Sequence, residues 1–281
     1  MAFRCIPLTD HLGAEVVDFD PREDFDDATR AQLYAALLEH RLLLFRRTPL
    51  DEAQQVRLTR IAGELTFRGG GNYADPSKQS SLVSNAHPDG MFGNGELSFH
   101  SDLSFTEHIL KARSLHGLIV PASTGRGDTL FSNVIKAYEE LEPALKARVE
   151  PLRARFSATY NYTDGRVDTL DYVRAIIDTH PYTGRRFISA SRAVTKEVIG
   201  VQRAEFRPLL KELWAHMERP EYVYRHVWSV GDTLLWDNIA TQHARTPFDA
   251  SEKRALRAVS VDDAALVAQA RQAATTAEAR A

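Results

Sequence analysis

The sequence has one cysteine, Cys5, which rules out an intrachain disulfide and any cysteine-built zinc or iron–sulfur site. A metal centre here would have to use imidazole and carboxylate ligands. No apolar run approaches the ~18 residues needed to span a bilayer, and Met-Ala-Phe-Arg-Cys at the N-terminus lacks a signal-peptide core. The expected compartment is therefore the reducing cytoplasm. Neither charge sign dominates: 35 basic residues face 38 acidic ones, for a net charge of −3. That balance leaves no electrostatic footprint for nucleic acid or an anionic membrane, so the expected partner is a small molecule. Internal repeats and a clean linker are absent too. The 281 residues, 43% of them apolar, are read as one domain over 1–263 and an Ala-rich tail over 264–281.

The stretch that stands out runs from Glu96 to Phe105. Leu97, Phe99, Leu103 and Phe105 alternate with Ser98, His100, Asp102 and Ser104, the two-residue period of a strand with unlike faces. On that reading His100 and Asp102 project to one side and supply two ligands of a 2-His-1-carboxylate site, which keeps metal positions open for substrates. Two other His-x-acid pairs are weaker. His87-Pro88-Asp89 lies in a turn, and His216-Met217-Glu218 lies in a helical stretch, where residues two apart diverge.

Helices are expected after the acidic segment Asp20–Asp27, with Asp26 or Asp27 as N-cap, and from Asp51, where Gln54 completes a capping box. Asn133 should cap another and Pro143 open the next. Residues 195–219 also read as helical. Short strands are expected at Phe3–Leu8, Glu15–Phe19, Arg41–Arg46, Ser114–Val120, Thr129–Phe131, Phe156–Tyr160, Arg186–Ser189, Tyr222–Trp228, Thr233–Trp236 and Arg257–Val261. This is an α+β chain with a mainly β core, a sandwich or barrel with helices outside. The Gly- and Ser-rich stretch 66–96 reads as a lid insertion.

His243 follows Trp236-Asp237-Asn238 and can sit at a strand end opposite His100, which makes it the best third ligand; His116 and His226 remain alternatives. Eleven residues after His243 comes Arg254, then Arg257. An arginine fork near an open metal site could anchor an acidic cosubstrate, although on charge pattern alone a surface salt bridge is the better fit.

The span from about Leu42 to Asp263 resembles the taurine dioxygenase / 2,4-dichlorophenoxyacetate dioxygenase family of Fe(II)- and 2-oxoglutarate-dependent enzymes. The shared features are His100-Ser101-Asp102, Gly127-Asp128-Thr129-Leu130-Phe131, Thr179-His180-Pro181 through Arg185, Tyr224-Arg225-His226, and Gly231-Asp232 through His243 to Arg254. The resemblance implies a double-stranded β-helix, or jelly roll, with iron on His100, Asp102 and His243. It also implies that Thr129 and Arg254 hold a carboxylate of 2-oxoglutarate, and by position it places Asn85 beside the substrate. The implied reaction consumes O2, hydroxylates an unactivated C–H of a sulfonate, aryloxyalkanoate, amino-acid or natural-product-like substrate, and releases succinate and CO2. Asp102 argues against halogenation, which needs a small residue there. Dimers and tetramers are common in the resembled family.

One departure concerns the substrate. Family members carry a second arginine four residues after the first, which contacts the substrate anion, and here that place is Ala258. Arg257 would substitute if a one-residue deletion shifted the register. Two rival readings share the same residues: a zinc hydrolase using the His/Asp/His set to activate water, and a non-catalytic jelly-roll binding protein.

Overall fold

The structure is a computed structural model, and it describes residues 3–66, 78–88, 90–122, 125–161 and 167–268. It is an α+β chain dominated by sheets. The larger sheet runs β1 (Arg4–Pro7), β2 (Ala14–Val17), β3 (Leu42–Phe45), β15 (Thr233–Asp237), β7 (Ala112–Ile119), β17 (Ala255–Asp262) and β4 (Glu64–Leu65), with β5 (Ser81–Ser84) also on β17. A second sheet runs β14 (Val223–His226), β8 (Thr129–Asn133), β16 (Thr241–Arg245) and β6 (Leu97–His100). Outside these, β9 (Arg153–Asn161) pairs with β10 (Val167–Ala175) and β13 (Thr195–Val198), and β11 (Ile177–Thr179) pairs with β12 (Arg186–Ile188).

The alternation of β3 shows why the large sheet separates two cores. Leu43 and Phe45 join Leu33 and Leu37 on the helix side, whereas Leu42 and Leu44 join Trp236, Phe131 and Tyr224 between the two sheets. The helix side is covered by α1 (Asp27–His40) and α2 (Glu52–Thr59). Asp26 caps α1 by accepting from the Thr29 N–H, and Leu33, Ala36 and Leu37 form its buried stripe. The Asp51/Gln54 capping box is formed as expected. Asn133 caps α3 (Val134–Glu139) and Pro143 opens α4 (Pro143–Val149). The third core takes Phe206, Leu209, Leu210, Leu213 and Met217 from α5 (Arg203–Met217). Each such side chain contributes about 2 kcal/mol of burial.

Three expectations are corrected. Residues 195–219 are not one helix: Thr195–Val198 is an edge strand with a bulge against β9, and the helix starts at Arg203. His243 lies within β16 rather than at the end of its neighbour. Of the lid stretch 66–96, residues 67–77 and 89 lie outside the described set, while Ser81–Ser84 is a strand seated on β17. Of the tail, residues 269–281 lie outside it as well. Among the described residues no helix is long and apolar enough to cross a membrane.

Candidate active site

His100 and His243 face each other because β6 and β16 pair with these two residues in register. Their ring centroids are 4.3 Å apart. Asp102 reaches them differently from the sequence expectation. The strand ends at His100, and Asp102 sits in a turn followed by Leu103 at φ 57°. Asn238 fixes this turn: its side-chain oxygen accepts from the Asp102 N–H at 3.0 Å, and its amide donates to the carbonyls of Asp102 and Leu110. The carboxylate thereby meets both imidazoles. His100 Nε2 lies 3.8 Å from Oδ1 and His243 Nε2 3.8 Å from Oδ2. One donor atom from each residue lies within 4.8 Å of the others, and no other group of metal-ligand type forms among the described residues.

The protonation states suit a metal. His100 Nδ1 lies 2.8 Å from the Ser98 carbonyl, which can only accept, so Nδ1 donates there and Nε2 is the nitrogen turned toward Asp102. Burial, with His100 adding repulsion and Asp102 opposing, pulls His243 down to about 3, so it is neutral at pH 7. Burial opposes ionisation of Asp102, but Arg113 beside it, together with the two histidines, holds its carboxyl well below the usual carboxylate range. Arg113 Nη1 donates to Oδ2 at 2.8 Å.

Farther along the same cavity, Arg254 is 2% exposed. Its Nε donates to the Gly127 carbonyl at 3.0 Å, Nη2 lies 3.5 Å from Thr129 Oγ1, and Nη1 is buried with no partner among the described residues. Trp228 Nε1 donates to the same Thr129 oxygen at 3.0 Å. Gly127, at φ +69°, lets the loop approach this closely; a Cβ there would lie 3.2 Å from Arg254 Cδ. Burial, with Arg245 nearby adding repulsion and Asp128 opposing, pulls Arg254 down to about 9, and it remains charged at neutral pH. The surface-salt-bridge alternative for Arg254 is therefore set aside.

Arg257 is a correction. It lies an odd number of residues from Arg254 and points to the opposite strand face, where it donates to Gln55 Oε1, Leu50 O and Asp51 O. It does not reach the cavity, and Ala258 is packed in the core between the sheets. Asn85 is also turned to structure: it accepts from the Arg254 N–H at 2.8 Å and donates to the Glu252 carbonyl at 2.8 Å. It holds the arginine in place. Of the alternative ligands, His116 bonds Thr233 and the Leu50 N–H, and His226 meets Asp232 and Tyr224. Residues missed in the sequence also line the cavity: Arg113, Trp236 and Arg245. Arg245 could have been found from the His243-Ala244-Arg245 alternation; Arg113 carries no local signal.

Comparison with known proteins agrees with this geometry. Residues 5–260 match the family described as taurine catabolism dioxygenase TauD, TfdA family. The (S)-phenoxypropionate/alpha-ketoglutarate-dioxygenase of Sphingobium herbicidovorans is 31% identical, over 90% of this chain and 92% of that protein. The alpha-ketoglutarate-dependent sulfate ester dioxygenase of Pseudomonas putida is 28% identical, over 91% and 88%. A solved taurine dioxygenase from Burkholderia xenovorans superposes with a TM-score of 0.75 at 29% identity, over 92% of this chain and 90% of that one. With the match running through both sheets and the triad, the chain belongs to the TauD/TfdA family of alpha-ketoglutarate-dependent dioxygenases.

Proposed function

We propose that this protein is an Fe(II)- and 2-oxoglutarate-dependent dioxygenase on a jelly-roll scaffold, hydroxylating a C–H bond of a small acidic organic substrate. The observation that carries the reading is one cavity with two differentiated ends. At one end His100, Asp102 and His243 offer two imidazoles and one ionised carboxylate, the donor set that suits Fe(II) with open positions. At the other, Arg254, whose Nη2 lies beside Thr129, presents a buried Nη1 with no partner among the described residues, a receptor for a carboxylate. 2-Oxoglutarate, with a chelating end and a distal carboxylate, matches both. Iron bound there would supply, with 2-oxoglutarate and O2, oxidative hydroxylation accompanied by release of succinate and CO2.

The protein's own contribution is positioning and charge. Arg113 keeps Asp102 ionised as a ligand, Asn238 sets its backbone, and Asn85 with the Gly127 carbonyl aims the Arg254 fork. A hydrolase would need a general base beside the metal, and among the described lining residues no acid or imidazole stands there beyond the three ligands. The strands of the sheet that carries Arg113 and Trp236 run from Arg4 to Asp262, which supports one catalytic domain over residues 1–263. The test is succinate formation from 2-oxoglutarate in the presence of Fe(II), O2 and a panel of acidic substrates. Succinate that disappears on chelation and in His243→Ala supports the proposal; metal-dependent hydrolysis without succinate would replace it with the zinc reading.

A further inference from the structure

The cavity holds more positive charge than one cosubstrate accounts for. Asp102 is matched by Arg113, and Arg254 with Thr129 forms one carboxylate receptor. A second guanidinium, Arg245, remains. It lies two residues beyond His243 on β16, so it shares the face of that ligand, and it stands opposite Thr129 in the β8 ladder. It is 4% exposed, yet no carboxylate lies within ion-pair distance of it among the described residues. Its Nε donates to Gly95 O at 3.2 Å and its Nη2 to Phe92 O at 2.6 Å, and Nη1 makes no hydrogen bond to the described protein. Carbonyl oxygens satisfy N–H groups without neutralising the charge. A buried guanidinium with no counter-ion is costly unless a ligand supplies the anion.

2-Oxoglutarate brings two carboxylates, one for the metal and one for Arg254. Arg257 faces away and Ala258 carries no charge, so neither serves a third anion. We propose that Arg245 receives the anionic group of the primary substrate, a carboxylate, sulfonate or sulfate, at the wall formed by Phe92 and Gly95. The inference rests on the dioxygenase reading and adds where the substrate is held. Val83, Phe92, Leu97 and Leu115 line the same cavity and suit the substrate's apolar part. The acid is then recognised from the strand that carries a metal ligand, which fixes the distance between its anion and the reacting carbon.

The test uses the anaerobic Fe(II)·2-oxoglutarate complex of the full chain, reading its visible charge-transfer band. Phenoxyacetate, 2-phenoxypropionate and hexyl sulfate are titrated beside neutral counterparts, the two carboxamides and hexanol, into wild type, Arg245→Gln and Arg245→Lys. Wild type should prefer at least one acid over its neutral counterpart. Arg245→Gln should weaken that acid on the order of 30-fold or more, leave the neutral compound and 2-oxoglutarate within about 3-fold, and Arg245→Lys should restore part of the loss. The proposal is overturned if the acid preference survives Arg245→Gln, or if 2-oxoglutarate weakens by the same factor, which would assign the arginine to the cosubstrate. A parallel loss for acid and neutral partner also overturns it, leaving a loop clamp, as does a wild type that forms the band yet prefers no acid. Failure of the band itself in folded, metal-loaded wild type is a different result and removes the dioxygenase reading beneath it.

Discussion

Replacing Arg254 by methionine should separate stability from ligand binding, leaving the first nearly unchanged and weakening the second. The guanidinium is buried and, among the described residues, lacks a carboxylate partner and leaves Nη1 unsatisfied, so metal-free protein bears the cost of a desolvated charge. Methionine relieves that cost and forfeits the hydrogen bond to Gly127 O, worth about 1 kcal/mol. The two effects nearly cancel, and apo stability should move by no more than about 1 kcal/mol. Binding of 2-oxoglutarate should suffer far more, because losing one partner of a buried charge pair costs about 2–5 kcal/mol. At a concentration near 100 times the wild-type Kd, 2-oxoglutarate stabilises wild type by about 2.7 kcal/mol. If Kd rises 100-fold, on the order of the loss above, the same concentration gives Arg254→Met about 0.4 kcal/mol. At roughly 2–4 °C per kcal/mol for a chain of this size, the 2-oxoglutarate-dependent Tm increase should fall from about 5–10 °C to about 1 °C. Thermal unfolding of the Mn(II)-loaded proteins with and without 2-oxoglutarate measures both. Equal ligand-induced shifts in the two proteins would refute the assignment of Arg254.

Three further outcomes follow from buried polar groups. His116 is held neutral, with Nε2 accepting the Leu50 N–H; burial, reinforced by Arg257 and opposed by Asp232, lowers it to about 4. A histidine lowered this way stabilises the fold fully above its unfolded value, ~6.5, and loses that contribution as pH falls toward 4. Between pH 7.5 and pH 5 wild type should therefore lose about 2 kcal/mol more than His116→Gln in urea titrations, and parallel pH curves would remove His116 from the account. Asp237 accepts from His180 Nε2 at 2.8 Å and from the Ile239 and Ala240 N–H groups at the turn before β16. Asp237→Ala should cost about 3 kcal/mol or more, read from the denaturant midpoint. Arg257→Gln should lower stability by about 1–2 kcal/mol while leaving 2-oxoglutarate affinity unchanged by calorimetry; a change in that affinity would return Arg257 to the site.

The candidate ligand residues are legible in the sequence because each carries a local signal: His100 ends an alternating strand, and His243 and Arg254 follow recognisable motifs at fixed spacing. For Asp102 the structure supplies a different reason from the alternation. The alternation continues to Phe105, but the chain turns after His100 because Asn238, 136 residues away, captures the Asp102 backbone. Arg174 also binds the carbonyls of Ser104, Thr106 and Glu107. No local pattern reports such partners. Arg257 failed for a simpler reason: the two-residue period of β17 sets it on the helix-facing side, and no deletion moves it. Ser81–Ser84 looked like loop from its serines and became a strand because β17 offered an edge. Thr195–Val198 likewise takes its conformation from β9.

The most direct test of the central claim is anaerobic titration of the metal-free protein with Fe(II) and 2-oxoglutarate, followed through the visible metal-to-ligand charge-transfer band. A band of one-to-one stoichiometry in wild type, absent in Asp102→Ala and requiring far more 2-oxoglutarate in Arg254→Met, is the predicted result. Folded, iron-loaded wild type that develops no band at saturating 2-oxoglutarate would contradict the account.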